Sequence, residues 1–279
     1  MASVTTPLRV AVRHSGRRWK LSQFGIVLAS LPILSYLLFP IVALIVRVDP
    51  VALIDNVMSR EVRQAIGLSL MTTLWSTLIS LLLGTPLAYM LARRRFRGRS
   101  LVDTLIDLPM VLPPSVAGIA LLIAFGRRGL LGSWLDEAGL SIAFTTIAVV
   151  LAQVFVAAPF YIKTAISAFA GIERELEQAA AIDGASSLQI FRAITLPLAW
   201  PVLLGGLVMT WARALGEFGA TIIFAGNFPG RTQTMPLAIY IGFEMDLNLA
   251  LTMALILLGV SFVVLWLVKA ILRQRAHLV

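Results

Sequence analysis

The chain has 279 residues, of which 59% are hydrophobic and only 13% are charged, about half the charged share of a water-soluble domain. This composition excludes a soluble protein and predicts an all-α integral membrane protein, in which a net charge of +9 reflects basic cytoplasmic loops and not a nucleic-acid partner. The absence of cysteine excludes disulfides, thiolate metal sites and a cysteine nucleophile.

Apolar runs long enough to cross a bilayer predict about six transmembrane spans, since a helix needs roughly 20 apolar residues to cross. The first run is uncharged, is too long for the core of a signal peptide, and contains Pro32 and Pro40, which kink or soften it. The predicted spans cover about 24–46, 65–92, 101–125, 142–169, 195–224 and 249–270. They form a transmembrane domain at 23–272, between a basic tail at 1–22 and a short tail at 273–279.

The basic residues outside these spans lie mainly on one side of the membrane. The tail before the first span, the loop after the second and the end of the chain are basic, with Arg9, Arg13, Arg17, Arg18, Lys20, Arg93, Arg94, Arg95, Arg97, Arg99, Lys269, Arg273 and Arg275. Since cytoplasmic loops are enriched in Lys and Arg, both termini are predicted to be cytoplasmic. The polar segment 171–197 is then the second cytoplasmic loop.

Segment 171–197 has the pattern of two short helices joined by a turn. Strong helix formers, with acidic residues in the early turns, lead to Gly184, the residue type that most easily ends a helix in a left-handed conformation. Ser186 and Gln189 have the spacing of a capping box, and Pro197 prevents a regular continuation into the fifth span. Periodicity alone leaves open a helix–turn–helix that docks on a partner and an amphipathic loop at the lipid surface.

The same segment resembles the signature of membrane subunits of bacterial ABC importers, which reads E-A-A, three residues, Gly, nine residues and I-x-L-P. Here Ala179-Ala180 precede Gly184 at that spacing, and Ile194 and Leu196-Pro197 follow at theirs, while Gln178 stands at the Glu position. In that family the segment is a coupling helix that sits in a groove of a separate cytoplasmic ATPase. The resemblance therefore implies ATPase coupling through Glu177, Gln178, Ala179, Ala180, Asp183, Gly184, Ala185, Ile194, Leu196 and Pro197.

The chain itself is predicted not to be an enzyme. It contains no G-x-x-x-x-G-K-[ST] loop, so ATP and Mg²⁺ are expected on the partner ATPase subunit, and no cofactor, metal or catalytic residue is assigned here. An intramembrane enzyme would need a motif such as H-E-x-x-H or G-x-S-x-G, and neither occurs. An ion-coupled secondary transporter would show internal repeats, and no half-to-half similarity is evident.

Residues 213–240 resemble the corresponding region of molybdate permeases, through Ala-Leu-Gly-Glu-Phe-Gly-Ala at 214–220 and Ala-Gly-Asn-Phe-Pro-Gly-Arg-Thr at 225–232. Sulfate and thiosulfate permeases share a related pattern, while the continuation Gly-Arg-Thr-Gln-Thr at 230–234 is closer to the molybdate and tungstate branch. The resemblance implies a type I ABC importer permease for molybdate or tungstate, in a prokaryotic cell membrane. Sulfate or thiosulfate import stays open as the alternative.

Three kinds of protein partner are expected for such a subunit. The resemblance implies a cytoplasmic ATPase, itself a dimer, and an external substrate-binding protein that docks on the outer loops at about 47–62, 126–141 and 226–248. Six spans are too few to enclose an alternating-access path easily, so a second copy of the chain is predicted as well.

Candidate residues for the translocation path or gate are few, since tight binding in a channel would slow release. Arg213 and Glu217 share a helix face, and they are either pore-side groups or an internal salt bridge that fixes packing. The prolines of the third span are either a hinge or pore lining, as the resemblance suggests, or a static kink. The full set is Pro109, Pro113, Pro114, Arg213, Glu217, Phe218, Thr221 and Asn227.

Overall fold

The computed structural model describes residues 16–276, and the regular elements of that range are helices, as predicted. They are α1 (Gly16–Arg47), α2 (Pro50–Met58), α3 (Arg60–Arg93), α4 (Arg99–Val111), α5 (Pro114–Phe125), α6 (Gly132–Glu137), α7 (Thr146–Ala170), α8 (Arg174–Ile182), α9 (Ser187–Ile190), α10 (Leu196–Leu215), α11 (Gly219–Phe224), α12 (Met235–Met245) and α13 (Leu247–Ala276). A π-helical turn at Phe191–Thr195 joins α9 to α10.

Helix α1 belongs to a unit of its own, separate from residues 48–279. It stays helical through Pro32 and Pro40, and its part at Gly25–Arg47 is long and apolar enough to cross a membrane. The first predicted span therefore corresponds to one uninterrupted helix. The basic residues predicted before Ser15 lie outside the described residues.

In the second unit, three further long runs qualify as single spans, namely α3, α7 and the α13 segment at Leu247–Ile271, and a fourth continues through the π-helical turn from Ser187 to Leu215. Helices α4 and α5 qualify only as a pair bent by 115°. With α1, the described residues thus contain five spans, or six if the bent pair is one span. This agrees with the prediction of about six.

Helices α3 and α7 run parallel, so the bent pair of α4 and α5 must bring the chain back across the bundle between them. The hydroxyls of Thr85 and Tyr161 lie 2.6 Å apart, and further along both helices Arg93 Nη1 donates to the Ile172 carbonyl at 3.2 Å. The chain must therefore travel back from the end of α3 to the start of α7, and α4 and α5 make that return. The predicted third span is a broken crossing and not one helix.

Small and hydroxylated side chains form the interface of α3 with its neighbours. The buried face of α3 includes Ser69, Thr73, Ser76 and Ser80, and the hydroxyls of the last three donate to backbone carbonyls three or four residues back. Ser69 Oγ instead accepts from the Met235 backbone N–H at 2.7 Å. Satisfied hydroxyls and small side chains let helices approach closely inside a membrane.

Two adjacent glycines in α10 test this close packing. A Cβ on Gly206 would lie 2.9 Å from Cβ and Cγ2 of Thr164, whereas a Cβ on Gly205 would meet no atom within 4 Å. Gly206→Ala is expected to lower stability by about 1–3 kcal/mol through overpacking, while Gly205→Ala is neutral or stabilising because alanine favours the helix. Melting midpoints of the two purified variants in detergent check this, and equal midpoints would contradict the close approach of α7 and α10.

Candidate functional site

The turn after α8 has the geometry that the sequence predicts. Gly184 adopts φ +88°, its N–H donates to the Ala181 carbonyl at 3.1 Å, and the Ala185 N–H donates to the Ala180 carbonyl at 3.0 Å. This pair of bonds is a Schellman motif, which needs a left-handed residue at the glycine position. A Cβ on Gly184 would meet no atom within 4 Å, so the backbone angle, and not crowding within the chain, favours glycine.

The second short helix begins with the predicted capping box. Gln189 Oε1 accepts from the Ser186 N–H at 2.7 Å, and Ser186 Oγ accepts from the Gln189 N–H at 3.4 Å. The helix continues into the fifth span, but not regularly, as the sequence predicts from Pro197. It runs through the π-helical turn into α10, with the Leu196 N–H donating to the Phe191 carbonyl.

Proline explains the π-helical turn. Pro197 has no N–H, and its ring crowds the carbonyl four residues back, so a regular α-helical turn is disfavoured there. The wider turn before it keeps the chain helical. The fifth span consequently starts at Ser187 and ends at Leu215, instead of covering 195–224.

Half of the predicted coupling residues are exposed. Gln178, Ala179, Asp183, Gly184 and Pro197 are exposed, and the remainder are half-buried. Two apolar side chains beside them, Ile182 and Leu188, are 86% and 57% exposed. We name the exposed part of 174–190 the α8 surface. Its exposed small and apolar residues, set among charged and polar ones around a turn held by backbone hydrogen bonds, suit close docking of another protein.

The Glu177 side chain is directed away from the exposed surface, and it connects α8 to α3 and to the π-helical turn. Its Oε1 accepts from Arg93 Nη2 at 2.9 Å and from Thr195 Oγ1 at 2.7 Å. Arg93 is the last residue of α3, and Thr195 is the last residue of the π-helical turn. Sequence reasoning assigned Arg93 only to a basic loop, because its partner is 84 residues away along the chain.

At the other candidate region, the prolines of the third span meet the Gly216–Gly219 segment. Pro109 lies inside α4, Pro113 is the N-cap of α5, and Pro114 is its first residue. A Cβ on Gly219 would lie 2.6 Å from Pro114 Cβ. The bend between α4 and α5 is therefore packed directly against the break between α10 and α11.

Glu217 occupies that break and is 1% exposed. Its Oε2 lies 2.8 Å from Arg213 Nη1, and its Oε1 accepts from the Ala220 N–H at 2.8 Å, at the start of α11. Arg213 and Glu217 thus form an ion pair inside the chain, and the carboxylate also satisfies a helix N-terminus. The arginine keeps 30% of its side chain exposed.

The other predicted path residues lie close by. The Phe218 ring packs against Tyr240, with centroids 5.1 Å apart. Thr221 is fully buried in α11. Within the part of the chain that the structure describes, Thr221 Oγ1 and Asn227 Oδ1 are buried without a hydrogen-bond partner.

A cluster that the sequence analysis missed joins α4 to α7. Lys163 Nζ donates to Asp103 Oδ1 at 2.7 Å and to Asp107 Oδ2 at 2.9 Å. The two carboxylates are 48% and 45% exposed on the surface of the single chain. The spacing of Asp103 and Asp107, four residues apart on a helix, could have indicated a shared cationic partner. Charges exposed within a membrane-spanning region face water or another protein surface.

The end of the bundle opposite α8 contains a cavity of about 430 Å³ with two arginines in its lining, Arg127 and Arg231. The backbone at Arg231 is joined to the start of α7, because the Arg231 carbonyl accepts from Thr146 Oγ1 at 2.9 Å. Phe144 and Phe228 also line it and pack edge to face. The predicted outer loop at 226–248 is partly a helix, since α12 packs there with Met235, Leu237, Ala238 and Gly242 buried.

Known proteins resemble this chain in sequence and in fold. Residues 84–277 match the family described as binding-protein-dependent transport system inner membrane component. The molybdenum transport system permease protein ModB of Mycobacterium bovis is 43% identical over 229 residues, which are 82% of this chain and 87% of that relative. A probable molybdenum ABC transporter permease protein of Haloferax volcanii is 39% identical over 240 residues, 86% of each chain.

A solved structure gives the same architecture at lower sequence identity. A chain of the bacterial ABC transporter involved in the import of the acidic polysaccharide alginate superposes with a TM-score of 0.72 at 18% identity, over 92% of this chain and 99% of that one. A likeness at this identity concerns the fold alone. It confirms the architecture of an ABC importer membrane subunit.

Proposed function

The chain belongs to the family of inner membrane components of binding-protein-dependent transport systems, and from this premise we propose that it imports molybdate or tungstate with energy from a separate ATPase. It is a multi-pass membrane subunit of a transport system. The observation that carries the proposal is the exposed α8 surface, whose rigid turn at Gly184 stands at one end of four or more spans. The similarity to molybdenum permeases supports the choice of substrate.

The α8 surface is the contact for the ATPase in this proposal. The helix is short and lies outside the spanning segments, and its turn is held by backbone bonds that need no partner. Such a preorganised surface binds with little cost in ordering. This end of the bundle then faces the cytoplasm, in agreement with the basic residues between 93 and 99, and the charge rule assigns both termini to the cytoplasmic side of the membrane.

The cavity at the opposite end is where we place the contact with the loaded substrate-binding protein. It lies between the loop at 126–141 and the loop before α12, two of the three outer loops assigned to docking. Arg127 and Arg231 give it a positive charge that attracts an acidic patch on a partner and an oxyanion alike.

A second copy of the chain completes the path. The Lys163 cluster is exposed on the surface of a single chain, and two copies facing one another would enclose it in a water-filled cavity. The packed contact between Pro114 and Gly219 lies where the helices of that cavity bend. Movement of α4 and α5 against α10 and α11 would open and close the path from one side at a time.

Uptake by proteoliposomes tests the substrate. Vesicles containing this chain and its cognate ATPase receive ATP inside and loaded binding protein outside, and the uptake of labelled molybdate, tungstate and sulfate is compared. We expect molybdate and tungstate to accumulate, each competing with the other, while sulfate does not. Accumulation of sulfate alone would keep the transporter class and overturn the substrate.

A further inference from the structure

We propose that Arg93, Glu177 and Thr195 form a coupling link, which transmits displacement of α8 to the spanning helices α3 and α10. The inference rests on the proposed function and deepens it, by naming residues that position the α8 surface without contacting the ATPase or the substrate. We use "coupling link" for these three residues only.

The link is built around one carboxylate oxygen. Glu177 Oε1 accepts from Arg93 Nη2 at 2.9 Å and from Thr195 Oγ1 at 2.7 Å. Arg93 also donates through Nη1 to the Ile172 carbonyl at 3.2 Å, so it holds the chain just before α8 as well as its first turn. One arginine therefore fixes both the position and the direction of α8.

The three side chains are shielded from water, which makes these contacts stronger than surface ion pairs. Arg93 and Glu177 are 10% and 16% exposed, and Thr195 is fully buried. Charge-assisted hydrogen bonds are about twice as strong as neutral ones, and exclusion of water reduces their screening by salt.

Few other contacts attach α8 to the membrane domain. None of its residues is buried, and its apolar side chains Leu176 and Ile182 are exposed. A force on the α8 surface must therefore pass through the coupling link or through the short turns on either side. The turn after α8 is fixed by its Schellman motif, but it leads to α9 and not to α3.

The link ends at two positions where a small displacement has a large effect. Arg93 closes α3, one of the long spans, and Thr195 closes the π-helical turn that precedes α10. A π-helical turn contains one more residue than an α-helical turn, and it marks places where a helix changes register or direction. Pulling on Thr195 therefore acts where α10 departs from regular geometry.

Substitutions distinguish transmission of α8 displacement to the spanning helices from simple attachment of the ATPase. Glu177→Ala and Arg93→Ala remove the ion pair, and Arg94→Ala is the matched control, because Arg94 follows Arg93 at the end of α3, is exposed and lies outside the α8 surface. Reconstituted with ATPase and loaded binding protein, the two link variants are expected to keep hydrolysing ATP while molybdate uptake per ATP falls about tenfold. The control keeps the wild-type ratio.

A double charge reversal, Arg93→Glu with Glu177→Arg, provides a second test of the coupling link. It restores the attraction between α3 and α8, so its uptake per ATP is expected to exceed that of either single charge reversal. An unchanged ratio of uptake to hydrolysis in Glu177→Ala and Arg93→Ala would overturn the link. So would loss of the ATPase from the purified complex, since the residues would then act in attachment. Absence of ATP-driven uptake in the wild-type chain would instead contradict the proposed function.

Discussion

Replacing Gly184 by Val is expected to lower ATP-driven uptake at least about tenfold, while Gly184→Asn keeps most of it. The residue stands at φ +88°, a left-handed conformation that costs a residue with a side chain about 1–2 kcal/mol. Asn tolerates this conformation better than other residues with a Cβ, and a β-branched residue tolerates it worst. The Val variant therefore loses the Schellman turn that sets the direction of the chain between α8 and α9.

Uptake and ATP hydrolysis measured on the same vesicles check this ordering. Gly184→Ala is the intermediate case, because it adds a Cβ without branching. A Cβ at this position meets no atom of the chain within 4 Å, so folding alone predicts a graded series of Asn, Ala and Val. Equal loss in all three variants would contradict the backbone explanation and place the ATPase directly over the glycine.

The second large effect concerns the buried ion pair at the α10–α11 break. Arg213→Met leaves the carboxylate of Glu217, which is 1% exposed, with the Ala220 N–H as its remaining partner. Breaking a buried ion pair in this way costs about 3 kcal/mol, which lowers the melting midpoint of a chain this size by about 5 °C. Glu217→Gln is milder, since the amide oxygen still accepts from Ala220 and Arg213 is partly exposed.

The double variant Arg213→Met/Glu217→Gln is the decisive comparison. With the charge gone from both positions, its melting midpoint in detergent is expected to rise above that of Arg213→Met alone. Additive losses, with the double variant less stable than either single variant, would show that the two residues do not act as a pair.

Local signals in the sequence were sufficient for the segment around α8. The left-handed glycine and the capping box of Ser186 and Gln189 depend on neighbouring residues alone, and both have the predicted geometry. The all-α fold and the family resemblance are confirmed as well, because apolar run length and motif spacing are read directly from the chain. The orientation of the termini stays a prediction.

Other features depend on contacts between distant parts of the chain. The fifth span was predicted to run to 224, because the apolar run gives no sign that Glu217 turns inward to accept the Ala220 N–H and start a new helix. The region at 226–248 was predicted as a loop, because its apolar run is too short to span a membrane. The structure has a helix there, α12, of only 11 residues. Its helix is supported by burial against α13 and α3, which no local pattern reveals.

The ion pairs made by Arg93 and by Lys163 show the same limit. Arg93 and Glu177 are separated by 84 positions, and Lys163 is separated from Asp103 by 60. A sequence shows which residues are charged, but the partner is decided by how α3, α4 and α7 pack. The sequence analysis therefore named Glu177 as a coupling residue but missed its two partners, Arg93 and Thr195.

The source of energy is the central claim, and uptake by sealed proteoliposomes under two energy conditions tests it most directly. Vesicles carry this chain with its cognate ATPase and receive molybdate-loaded binding protein outside. The account predicts accumulation with ATP inside, none with a non-hydrolysable ATP analogue, and no response to an imposed proton or sodium gradient. Accumulation that ignores ATP and follows an ion gradient would contradict it.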